Sequence, residues 1–155
     1  MQETELIRQV KAYSANLLGT HLPAHFVYHN LQHTQDVVQA AIQISNAIYL
    51  TDDEKETVLL AAWMHDLGYI ESIDNHEEHS ATLAKKILAD WGASQEKIQA
   101  VQRTILATTM PQRPQDIMGE VLCDADLSHL AAPDFQTICE PLREELATLK
   151  GIVFN

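Results

Sequence analysis

The first residues able to do chemistry are His65 and Asp66, in the run Ala61-Ala62-Trp63-Met64-His65-Asp66-Leu67-Gly68-Tyr69. An apolar segment ends in an imidazole and a carboxylate, and a glycine follows closely. A ring nitrogen beside a carboxylate oxygen suits a divalent transition ion such as Mn, Fe, Co, Ni or Zn. Adjacent residues inside a helix point about 100° apart and do not share a ligand face. At a helix end the backbone loosens, and both side chains can turn to one ion. Taken alone, the pair reads better as an ordinary helix C-terminus, where the dipole favours a histidine.

Two further stretches change that balance. Tyr28-His29-Asn30-Leu31-Gln32-His33-Thr34 puts His33 in the first turn of a helix capped by Asn30. Leu122-Cys123-Asp124-Ala125-Asp126-Leu127 sets two carboxylates in apolar surroundings, where an acid is costly unless paired or metal-bound. Asp124 reads equally well as an N-cap; Asp126 lies deeper and is harder to explain that way. His21, His25, His29 and His33 recur every fourth residue, but Pro23 and the Asn30 cap break any helical stripe. His29 remains a residue that lines the site or orients a ligand.

The elements that must position these groups are all helical. Apolar residues recur at helical spacing over 3–19, with Gly19 as the stop, and again from Leu31 to Leu50. Thr51 with Glu54 forms a capping box opening a helix from Asp52 to Asp66, terminated by Gly68. Helices follow from His76 to Trp91, from the Ser94 cap to Thr109, from Ile117 to Leu130, and from Pro133 to Lys150. About seven helices with short loops and no strand predict an all-α compact bundle, a single domain over residues 1–155.

Composition narrows the function. The net charge of −12 disfavours a nucleic-acid polymer or an anionic membrane, which require a basic patch. It leaves room for a small phosphorylated molecule, since a metal ion supplies local positive charge. Cys123 and Cys139 form no framework and read as buried thiols in a reducing compartment. The acidic N-terminus is followed by no apolar signal segment, and no apolar run spans a bilayer. The expectation is a cytoplasmic protein with no membrane insertion, its oligomeric state open, a homodimer included.

The order His33, His65-Asp66, Asp126 resembles the H…HD…D pattern of the HD superfamily of metal-dependent phosphohydrolases. Tyr28-His29-Asn30, His76-Glu77-Glu78-His79-Ser80-Ala81 and Asp124-Ala125-Asp126-Leu127 match the family's flanking words, in its order, across about residues 25–130. The resemblance implies a phosphodiesterase-like bundle that cleaves a phosphate ester, often of a nucleotide or cyclic nucleotide, by a metal-activated water. It nominates His33, His65, Asp66 and Asp126 as the metal ligands, with Asp126 rather than Asp124 in the last position. Mg is a further candidate ion. The segment Ile105-Leu106-Ala107-Thr108-Thr109-Met110-Pro111 lacks a histidine that some relatives place there, which favours one metal over two. In a similar branch such a domain is fused to a membrane-spanning effector portion, making the chain a candidate piece of a longer protein.

Groups just after the metal pair are candidates for proton transfer. Asp66, His76, Glu77 and His79 form the expected catalytic set, with Glu71 the weakest addition. Arg103 and Arg113 join His29 as expected substrate contacts. Only ten basic residues are present, which suggests a small phosphate load. The main alternative is a non-catalytic, nucleotide-binding regulatory HD domain. A purely structural module would require His65, Asp66 and Asp126 to be unrelated in space, and an oxidative di-iron site needs more ligands than the sequence places.

Overall fold

Helix α3, Asp52–Met64, dictates the architecture, because every residue from Thr57 to Met64 is buried. A helix apolar on all sides must be covered on all sides. In the computed structural model, which describes residues 2–20, 31–71, 74–109 and 112–127, five other helices do this. They are α1 (Glu5–Thr20), α2 (Leu31–Ala47), α4 (His76–Asp90), α5 (Gln95–Leu106) and α6 (Ile117–Asp126). All five pack against α3. One core results, built from Ile7 and Val10, Val37 and Ala41, Leu60 and Met64, Leu88, Val101 and Ile105, and Leu122. The described residues are all-helical and contain no strand, as the periodicity predicts.

Helix starts follow the capping chemistry. Thr51 Oγ1 accepts a hydrogen bond from the Glu54 amide at 3.1 Å, and Glu54 Oε1 accepts from the Thr51 amide at 2.9 Å. Ser94 and Asp116 cap α5 and α6 by accepting from the amides of Lys97 at 3.1 Å and Gly119 at 2.9 Å. Thr51 is exposed, so Thr51→Ala should remove the cap and little else. We expect a loss of ~1 kcal/mol, read as a thermal midpoint lowered by roughly 2–4 °C with the fold unchanged.

Helix ends depart from the sequence reading by a residue or a few. Helix α1 runs through Gly19 to Thr20, and α5 stops at Leu106 rather than Thr109. Helix α3 stops at Met64 because the backbone tightens into a short 3-10 helix, Leu67–Ile70. Helix α6 is described to Asp126. Its expected continuation to Leu130, the Asn30 cap, the Pro133–Lys150 helix and Cys139 lie outside the described residues.

One tertiary anchor had no sequence signal. Lys97 of α5 buries its side chain to 10 % exposure against the first turns of α3. Its ammonium donates to Asp53 O at 2.9 Å and Thr57 Oγ1 at 2.8 Å, and pairs with Asp53 at 2.8 Å and Glu56 at 3.2 Å.

Candidate metal centre

The tightening at the end of α3 lets two neighbouring side chains share a target. His65 keeps helical dihedrals (φ −63°, ψ −25°), while Asp66 leaves the helix at φ −108°, ψ 4°. His65 Nδ1–H donates to the Ala62 carbonyl at 2.7 Å, one of the carbonyls left unpaired at a helix C-terminus. That bond fixes the tautomer and turns the Nε2 lone pair inward.

His33, from the first turn of α2, and Asp126, from the last turn of α6, meet this pair. His33 Nε2 lies 2.9 Å from Asp126 Oδ1 and 3.7 Å from Asp66 Oδ2. His65 Nε2 lies 3.3 Å from Asp126 Oδ1 and 3.4 Å from Asp66 Oδ2. One donor atom from each of His33, His65 and Asp66 falls within 4.8 Å of the others, and all three residues are buried. The Asp126 side chain retains 16 % exposure.

These separations fit a cation. Metal–donor bonds of ~2.1 Å put neighbouring donors ~3.0–3.4 Å apart. His65 Nε2 is buried, with two carboxylate oxygens at 3.3 and 3.4 Å. Lone pairs aimed at one another repel unless a proton or a metal ion lies between them. The protonation behaviour carries the same message. Burial alone would lower the His65 pKa, but Asp66 and the bond and charge of Asp126 together raise it to about 10. Burial pushes Asp126 upward, and the bonds and charge of His33 and His65 outweigh it, holding the carboxyl well below its usual range. Proton and metal compete for such a site.

A family model for the HD domain matches residues 30–131. The chain belongs to the HD family. Comparisons with curated proteins and with solved structures gave no match. Membership makes the HD domain, in general terms, a metal-dependent phosphohydrolase fold with a site for a divalent ion. The His33, His65 and Asp66 cluster could hold one.

A second layer forms behind Asp66. His76, the first residue of α4, places Nε2 3.5 Å from Asp66 Oδ1 and Nδ1 3.3 Å from Glu77 Oε1. Both His76 and Glu77 are 4 % exposed, so neither is the solvated helix start that its position suggests. The Tyr69 ring stacks on His76 with centroids 3.8 Å apart and planes 13° from parallel. Burial, with Asp66, Glu77 and Asp126 nearby, pushes the Tyr69 phenol above its ordinary range, so it stays protonated.

Two residues that hold this layer, Gly68 and Ser80, carry no ligand chemistry of their own. The Gly68 amide donates to Ser80 Oγ at 2.7 Å. A Cβ on Gly68 would overlap the His76 carbonyl oxygen and stand 2.8 Å from the Ser80 nitrogen. Gly68 is therefore more than a helix stop: it lets the start of α4 dock directly on the His65–Asp66 turn.

The other nominated residues lie further out. His79 pairs with Glu71 at 3.2 Å, with both side chains exposed, 41 % and 56 %. Asp124 is exposed, which separates it from Asp126. Arg103 and Arg113 line a groove whose described lining includes no residue of the centre. His29 lies outside the described residues. Cys123 is buried and donates to the Ala107 carbonyl at 3.2 Å. Burial, with Asp126 and Asp124, pushes its thiol up to about 12, so it is no nucleophile. Among the described residues no helix is long and apolar enough to cross a membrane.

Proposed function

We propose that this HD domain, read as one domain over the whole chain, hydrolyses a phosphate ester of a nucleotide or cyclic nucleotide. It would use one divalent transition ion held by His33, His65, Asp66 and Asp126. The observation that carries the reading is the convergence of two imidazole nitrogens and two carboxylates at separations of 2.9–3.7 Å. Four protein donors leave a six-coordinate ion open to water and substrate, unlike a closed structural site. A divalent ion there supplies Lewis acidity and lowers the pKa of bound water.

The chain's own residues do the rest. Asp66 divides its carboxylate, with Oδ2 toward the two ligand histidines and Oδ1 toward His76. His76 stands between two carboxylates, with Nε2 facing Asp66 and Nδ1 facing Glu77. In this reading it belongs, behind Asp66, to the proton path that serves the departing alkoxide. Glu77 and the Tyr69 ring hold its plane. His79, at the rim with Glu71, is a peripheral member of the set.

The test is to strip the purified chain with chelator and reload it separately with Mn, Fe, Co, Ni, Zn or Mg. Phosphate release from nucleoside monophosphates, and ring opening of cyclic nucleotides, are then assayed. Turnover should appear only in reloaded protein. Tight nucleotide binding without turnover under every metal would convert the assignment to a regulatory domain. Failure to bind either metal or nucleotide would remove both readings.

A further inference from the structure

Helix α5 and the loop after it frame a groove of about 590 Å³ lined by Gln99, Gln102, Arg103, Leu106, Arg113 and Gln115, with Ala107 and Thr109 at its end. The chain carries 22 acidic residues and four arginines, yet two of those arginines and no acid are among the described lining. Asp116, beside that lining, offsets part of this charge by pairing with Arg103 at 3.0 Å.

The Arg103 side chain is held in place, and so is the backbone that carries Arg113. Asp116 Oδ1 accepts the Gly119 amide at 2.9 Å, and its Oδ2 accepts Arg103 Nε at 3.0 Å. The Asp116 cap therefore also fixes the Arg103 guanidinium, and the two terminal nitrogens have no described partner. The Arg113 amide donates to the Ala107 carbonyl at 3.2 Å, and its side chain has no acid partner among the described residues. Pro114 packs so closely on Gly119 that an added Cβ there would stand 3.3 Å from Pro114 Cβ. The loop bearing Arg113 is thus seated on α6 rather than hanging free.

One guanidinium fixed by Asp116 and a second carried on a seated loop suit a phosphate, whose oxygens accept paired N–H bonds. Glutamine amides present donor and acceptor together, as the edge of a nucleobase requires. The volume falls in the range of small-molecule sites. We propose that this groove binds a nucleotide-sized phosphorylated molecule at a place separate from the metal centre.

The test uses the full chain carrying His65→Ala, which disables the metal centre and leaves the groove intact. Adenosine 5′-monophosphate and inorganic phosphate are the probes, titrated by calorimetry. The nucleotide should bind in this background, more tightly than phosphate alone. Adding Arg113→Ala should weaken it at least tenfold. Adding Asp116→Asn keeps a good helix cap but loosens Arg103, and should weaken it severalfold with an unchanged thermal midpoint. No nucleotide binding to the His65→Ala chain, or affinity indifferent to both substitutions, would overturn the proposal. An inactive wild-type enzyme would count against the phosphohydrolase reading and leave this measurement untouched.

Discussion

Asp66→Ala should abolish metal-dependent turnover, lowering kcat/KM at least ~10³-fold, equivalent to ~4 kcal/mol of transition-state stabilisation. Asp66 is 2 % exposed and touches His33, His65 and His76 at once, at 3.7, 3.4 and 3.5 Å. On the proposed ligand set, its loss removes one metal donor, together with the oxygen that faces His76. Activity alone would not distinguish a lost ligand from a collapsed site, so thermal unfolding with and without metal is the companion measurement. A ligand at a hundred times its Kd stabilises a protein by ~2.7 kcal/mol, which for a domain of this size raises the midpoint by roughly 5–11 °C. Wild type should show that gain and Asp66→Ala should not. Asp66→Asn keeps the shape and discards the charge, and it too should lose the gain. A variant that still responds to metal like wild type would remove Asp66 from the ligand set.

Gly68→Ala carries the largest expected effect on stability for the smallest chemical change. The new methyl would overlap the His76 carbonyl and crowd the Ser80 amide at 2.8 Å. Both obstacles are backbone, so relief requires α4 to lift from the 3-10 helix. The Gly68–Ser80 bond and the Tyr69–His76 stack would go with it. Overpacking of this kind costs ~1–3 kcal/mol or more, and the lost buried hydrogen bond adds ~1 kcal/mol. We expect a midpoint lowered by roughly 5–15 °C, together with a fall in activity that restored temperature margin does not recover. Gly92→Ala is the control. Gly92 sits at φ 82° with nothing within 4 Å of an added Cβ. That variant meets only backbone strain of ~1 kcal/mol and should leave activity intact. Equal losses at the two glycines would show that close packing of α4 is not what Gly68 secures.

Much of this was written in local sequence. Helices read out because their signals are short-range: apolar spacing along a face, Thr51 with Glu54, Ser94 before Gln95. The His65–Asp66 pair closes an apolar helix and becomes a metal candidate only beside His33 and Asp126; the departure of Asp66 from helical dihedrals turns both side chains to one side. Asp126 stood out from Asp124 by its depth in an apolar run, and the structure places it 2.9 Å from His33 while Asp124 faces solvent. What sequence could not supply were distances across 93 residues of chain, the separation between His33 and Asp126.

Tertiary structure decided the remainder, for a physical reason that recurs in each case. His76 and Glu77 are nominated by their place after the metal pair, but only the docking of α4 buries them and sets His76 against Asp66. Arg103 on α5 and Arg113 in the segment after it line one groove, a proximity that the sequence between them does not announce. Lys97 looks like an ordinary surface lysine until α3 surrounds it. A side chain's type fixes what it can do; its burial and its partners fix what it does, and those come from helices packing together rather than from neighbours along the chain.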